Sequence, residues 1–151
     1  MNIGSNSSGV AKRLSNFTAR RFVFDGVECY SMEGLLQSFK FKDEHIQVEV
    51  CKMIGFSAKQ RGRSRNRVWQ VEQKLWWKGQ SYDRKSEGYQ QLLTRAYDAL
   101  ATNENFLKDL LSTNDAVFTH SIGSNKESET VLTEREFCRQ LTRLRREHAN
   151  I

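Results

Sequence analysis

Residues 21–30 read Arg-Phe-Val-Phe-Asp-Gly-Val-Glu-Cys-Tyr, with strand-forming side chains on both sides of Asp25-Gly26. That dipeptide suits a two-residue turn, so the stretch predicts a β-hairpin after a polar opening that lasts to about Ser8. Ser31 then offers an N-cap to a helix carrying Glu33, Leu35, Leu36, Gln37, Phe39 and Lys40, and a second helical stretch runs from about Asp43 to Gly55. Between residues 59 and 67 the pattern turns irregular and basic and predicts a loop, while the tryptophan-rich residues 68–79 fit either helix or strand. Beyond Ser86, a second N-cap, Tyr89, Leu92, Leu93, Ala96, Tyr97 and Leu100 recur with the helical period and mark a core-facing helix. Asn103 caps a shorter helix through Phe106, Leu107, Leu110 and Leu111. Residues 116–122 fit a short strand or an extended loop, and residues 124–130 fit a mobile one. The last helix opens with a capping box, Thr133-Glu-Arg-Glu136, and carries its apolar stripe on Phe137, Leu141 and Leu144.

These elements predict an α+β fold: a compact, predominantly helical single domain built around a small β-hairpin. The length of 151 residues fits one domain and leaves no room for a second. The apolar runs are three residues long, as in Phe22-Val23-Phe24 and Leu75-Trp76-Trp77, against about 20 for a membrane helix. The first residues lack the pattern of a signal peptide, and the expected location is the cytoplasm, with no membrane partner. Twenty-four Lys and Arg against 18 Asp and Glu give a net charge of +6, which favours anionic partners without choosing among them. Cys29, Cys51 and Cys138 form no paired spacing and read as free thiols, and His45, His120 and His148 are scattered, so neither a metal nor another cofactor is expected. The nine glycines form neither a dinucleotide-binding fingerprint nor a Walker-type phosphate loop.

Three groups of residues can carry chemistry. On a continuous helix Glu33, Gln37, Lys40 and Glu44 would share one stripe, which reads either as a solvated face of paired charges or as an acid/base and amine set. A lysine amine of lowered pKa attacks an aldehyde carbon to give a Schiff base, and a nearby carboxyl can move the proton. Arg61, Arg63, Arg65 and Arg67 alternate along the basic segment with no acid among them, which suits phosphate, and Trp69, Trp76 and Trp77 follow as stacking surfaces or as core. Arg135, Arg139, Arg143 and Arg146 share a face of the last helix and read as solvated. His120, near the end of the possible strand, is a ligand contact or a structural histidine.

Taken together, Leu14-Ser-Asn-Phe17, Phe24-Asp-Gly26, Ser31-Met-Glu33, Gln37-Ser-Phe-Lys-Phe41, Ala58 and the terminal Glu136-Phe137 to Leu144-Arg145 resemble the NADAR family, named for its association with NAD and ADP-ribose. The resemblance spans nearly the whole chain and implies a domain over residues 14–147, preceded by a flexible segment 1–13 and followed by a tail, 148–151. It implies an N-glycosyl hydrolase that removes ADP-ribose from guanine in modified DNA or RNA, countering a toxin-like or antiviral ADP-ribosyltransferase. Two alternatives stay open: hydrolysis of phosphorylated riboflavin-pathway intermediates, and a non-catalytic module that binds ADP-ribose or nucleic acid. By the motif match Glu33 takes the acid/base position and Lys40 that of the imine-forming lysine. Asn16, Phe17 and Gln37 would line the same pocket, and Trp77, Arg84, His120 and Ser121 would hold the distal part of the substrate. Arg61, Arg63, Arg65 and Arg67 would contact nucleic acid. Many family members carry a Trp-Gly element where this chain has Thr119-His-Ser-Ile-Gly123, which leaves the distal contacts open.

Overall fold

The computed structural model describes residues 1–149. The chain opens with α1 (Gly9–Arg13) and the hairpin β1 (Ala19–Phe24) and β2 (Val27–Ser31). Four helices follow: α2 (Met32–Ser38), α3 (Glu44–Cys51), α4 (Gly55–Arg63) and α5 (Asn66–Glu72). A second hairpin, β3 (Lys74–Trp77) and β4 (Gln80–Asp83), leads into α6 (Glu87–Leu100), α7 (Glu104–Leu111) and α8 (Glu134–His148). The α+β class and the single compact domain are as expected, but there are two antiparallel hairpins rather than one.

Both hairpins turn the same way. Asp25 and Gly26 have φ of 48° and 81°, and Lys78 and Gly79 have 48° and 86°, the paired positive values of a tight type I′ turn. Asp-Gly announces that turn and Lys-Gly does not, which conceals the first strand and turn of the second hairpin within residues 68–79. That stretch is neither one helix nor one strand: it holds the end of α5, a left-handed Gln73 (φ 54°) and then β3.

The predicted caps hold. Ser31 accepts from the Gly34 amide, Ser86 from Tyr89, Asn103 from Phe106, and the Thr133–Glu136 box is closed in both directions, while Asp43 adds a further cap by accepting from His45 and Ile46. All six apolar positions of α6 are buried and form the spine of the core, against which α8 lays Phe137, Leu141 and Leu144. Residues 116–122 are loop, with a single bridge from Thr119 to Asn2.

Several expectations are corrected. Gly55 does not end the second helix; α3 stops at Cys51, and Gly55, at φ 54°, starts α4. The basic residues 59–67 are not a loop but the end of α4, a break at Ser64 and Arg65, and the start of α5. Residues 1–13 are built into the fold rather than hanging from it: Ile3 is wholly buried and its amide donates to the Thr119 carbonyl at 2.8 Å. Residues 150–151 of the expected tail lie outside the described residues.

α2 is positioned by its closest contact. A Cβ at Gly34 would stand 2.6 Å from the Met53 carbonyl oxygen and 2.7 Å from that of Val50, so only glycine lets α2 lie against the end of α3. Gly34→Ala forces that contact apart and is expected to destabilise the domain by roughly 1–3 kcal/mol. A lowered denaturation midpoint at unchanged slope checks this.

Candidate active site

α2, α4 and the loop before β1 enclose a cavity of about 510 Å³ with the segments around residues 120–124 and 129–132. Glu33 and Gln37, one turn apart on α2, form its floor, and the Gln37 Nε2 donates to the Glu33 Oε1 at 2.8 Å. Helix α2 ends at Ser38, so Lys40 is not on it. The chain tightens into a turn in which the Lys40 amide donates to the Gln37 carbonyl, and this returns Lys40 to the same cavity. Glu44 starts a separate helix and is exposed, so it leaves the expected stripe. The remaining three residues form the floor of a cavity, not a solvated face.

The environment changes the chemistry of two of these groups. Lys40 is 7% exposed, and burial, aided by the neighbouring charges of Lys59 and Arg63, lowers its pKa from 10.5 to about 8 against the opposing pull of Glu33. Its Nζ donates to the Asn66 side-chain oxygen at 2.6 Å. Burial raises the Glu33 pKa although Gln37, Lys40, Lys59 and His120 all favour its charged form. A carboxyl pushed toward its protonated form thus shares the cavity with an amine pushed toward its neutral form.

Asn16 and Phe17 line the cavity as expected. The Asn16 Oδ1 accepts from the Tyr97 hydroxyl at 3.1 Å and its carbonyl accepts from the Glu33 amide at 3.0 Å, which ties this loop to both α6 and α2. His120 lines another wall.

The basic segment is divided by its helical geometry. In α4, Lys59 and Arg63 are one turn apart and both reach the cavity, whereas Arg61 points away, its guanidinium 4.7 Å from the centre of the Phe41 ring. The Arg65 Nε donates to the Lys40 carbonyl at 3.4 Å, and Arg67 is exposed on α5. Ala58 and Gly62 are the buried side of α4, and a Cβ at Gly62 would collide with the Gln37 side chain.

Three expected contacts lie elsewhere. Trp77 is core: its ring stacks on Phe24 and its Nε1 donates to the Asp25 carboxylate at 2.8 Å. Trp69 is also buried, and Trp76 is half-buried with Lys42 over its ring. Arg84 is fully buried; it donates to both Glu136 carboxylate oxygens and, through Nε, to the Thr130 carbonyl. It therefore braces the 129–132 wall from behind and offers nothing to a ligand. Ser121 is exposed and bonds Asn2.

Asn66 and Tyr97 are the site residues that the sequence reading did not select, and Lys59 was read only as the first charge of the basic segment. Lys59 and Arg63 have helical spacing, a signal concealed by reading the segment as loop. Along α8, Arg143 pairs with Asp98 and Glu147, while Arg135 and Arg139 line a separate polar cavity beside the start of α6.

A carboxyl of raised pKa and a lysine of lowered pKa thus line one cavity of an α+β domain. The chain belongs to the bacteriophage protein GP30.3 family, whose model matches residues 9–146, and this family is NADAR-like. It is 36% identical over 147 residues to an uncharacterized 17.1 kDa protein of Enterobacteria phage T4, covering 96% of each chain. Its fold matches the NMR structure of the Escherichia coli protein YbiA, a NADAR family member, with a TM-score of 0.64 and 20% identity, covering 99% of this chain and 84% of that one. Among the described residues no helix is long and apolar enough to cross a membrane.

Proposed function

We propose that this protein is an N-glycosyl hydrolase that releases ADP-ribose from guanine in modified nucleic acid. The observation that carries the reading is the pairing of Lys40 and Glu33 at the floor of one cavity, with their pKa values moved toward each other. Glu33 gives its proton to the sugar ring oxygen as the ring opens, leaving C1 bonded to the guanine nitrogen. The Lys40 amine adds to C1, the bond to guanine breaks, and the base leaves with a proton. C1 is then held as an imine on Lys40, and water releases free ADP-ribose. Asn16, Phe17 and Gln37 contact the sugar side, while Lys59 and Arg63 face its phosphates.

The preference for nucleic acid over a small phosphorylated riboside rests on cations outside the cavity. Arg61 on α4 and Arg67 on α5 take part in no salt bridge among the described residues. The test is release of ADP-ribose from a guanine-modified oligonucleotide, followed by mass spectrometry across a salt series. The expected kcat/KM falls steeply with ionic strength, and Arg61→Ala or Arg67→Ala each reduce the slope by about 0.7. Release that is indifferent to salt, or turnover of small ribosides alone, contradicts the nucleic-acid substrate.

A further inference from the structure

His120 is a titratable side chain of the cavity that the reaction above leaves unused, and its ring is held in a defined orientation. Its Nδ1 stands 2.7 Å from the Ile3 carbonyl oxygen. A carbonyl only accepts, so Nδ1 carries the proton and the Nε2 lone pair is left free in the neutral ring. Among the described residues Nε2 has no protein partner, and the imidazole lines the cavity.

Three further contacts hold it there. The His120 amide donates to the Glu134 carboxylate at 2.7 Å, and the ring meets Phe137 edge-on at 5.1 Å between centroids. The chain turns back sharply, with the Gly123 amide donating to the His120 carbonyl at 2.9 Å. A Cβ at Gly123 would stand 2.5 Å from the His120 Cδ2, so the turn closes over the ring only with glycine. Histidines held through Nδ1 by a backbone carbonyl, with Nε2 directed at a ligand, have the arrangement of a general base.

We propose that His120 is the general base for the second half of the reaction, the hydrolysis of the Lys40 imine. This rests on the imine route proposed above. Glu33 and Lys40 enter the cavity from α2 and the turn after it, whereas His120 enters from the 119–123 loop, so an imine carbon between them is reached from a second direction. Water adds to C1: its oxygen forms the new C1–O bond, the C=N electrons pass to the Lys40 nitrogen, and the water proton goes to the His120 Nε2. That proton then returns to the Lys40 nitrogen, and as the C–N bond breaks the C1 hydroxyl gives its own proton to the freed His120 Nε2, leaving free amine and the aldehyde of ADP-ribose. No other reactant is required.

The test separates the two halves of the reaction with His120→Asn and His120→Gln and an oligonucleotide carrying ADP-ribosylated guanine. Asparagine can still donate to the Ile3 carbonyl but has no basic nitrogen, and glutamine is the second variant should the first fail to fold. The expected result is a burst of base release stoichiometric with enzyme, turnover slowed about 10²- to 10⁴-fold, and a larger fraction of chain trapped by borohydride than in wild type. Gly123→Ala, which displaces the ring, shifts the trapped fraction the same way. If either folded variant loses the burst and the turnover equally, with no gain in trapped chain, His120 is not this base and the glycosidase reading stands. If wild type itself neither releases base nor traps, the imine route fails, and this role for His120 with it.

Discussion

Lys40→Ala stops base release, with kcat lower by more than about 10³-fold, because it removes the amine that holds C1 covalently. The thermal midpoint stays near that of wild type, since a buried cation whose pKa has fallen to about 8 contributes little to stability. Glu33→Gln costs roughly 10²- to 10⁴-fold, as expected for an acid and not a nucleophile. The pH profile follows from the direction of both shifts. The productive pair is Glu33 protonated with Lys40 neutral, so it holds a single proton. Activity is lost on the alkaline side near pH 8 as that proton leaves, and on the acid side as the pair takes up a second. A kcat/KM profile that rises to a plateau above pH 8 would show that only the free amine matters and that Glu33 is not the acid.

Arg84→Met carries the largest expected cost to stability. The guanidinium is fully enclosed and satisfies both oxygens of Glu136, a residue that also closes the capping box of α8 and accepts from Gln90 at 2.6 Å. Removing the cation leaves a buried carboxylate short of its partner, at about 3–5 kcal/mol. For a domain of this size that corresponds to roughly 10 °C in Tm. Glu136→Gln in the same chain removes the stranded charge while keeping an amide oxygen for the cap, and recovers part of the loss. The KM of whatever Arg84→Met protein remains folded changes little, because Arg84 does not reach the cavity. A raised KM at unchanged Tm would instead restore Arg84 to the substrate site.

The helix caps, the Asp-Gly hairpin and the α6 stripe were legible in the sequence because each is a local pattern with a local cause. Glu33, Gln37 and Lys40 were legible as a set, although the reason given by helical periodicity was only half right. The helix stops before Lys40, and a tightened turn, not another helical turn, brings the amine to the floor. What escaped the sequence was set by tertiary contact. Residues 59–67 look unstructured because only Ala58 and Gly62 make the buried side of α4, and a glycine against the Gln37 side chain is not a helix signal. Arg84 resembled an anion ligand because its partner, Glu136, lies 52 positions away. Residues 1–3 looked like an unattached lead-in, yet they bridge to Thr119 and hold His120.

The central claim is that Lys40 forms a covalent bond with the sugar. Borohydride added during turnover of an ADP-ribosylated guanine oligonucleotide, followed by peptide mass spectrometry, tests it directly. A reduced ADP-ribose adduct on the peptide containing Lys40, absent from Lys40→Ala, is the predicted result. Full release of ADP-ribose with no adduct at any borohydride concentration, or an adduct placed on Lys59, would contradict it.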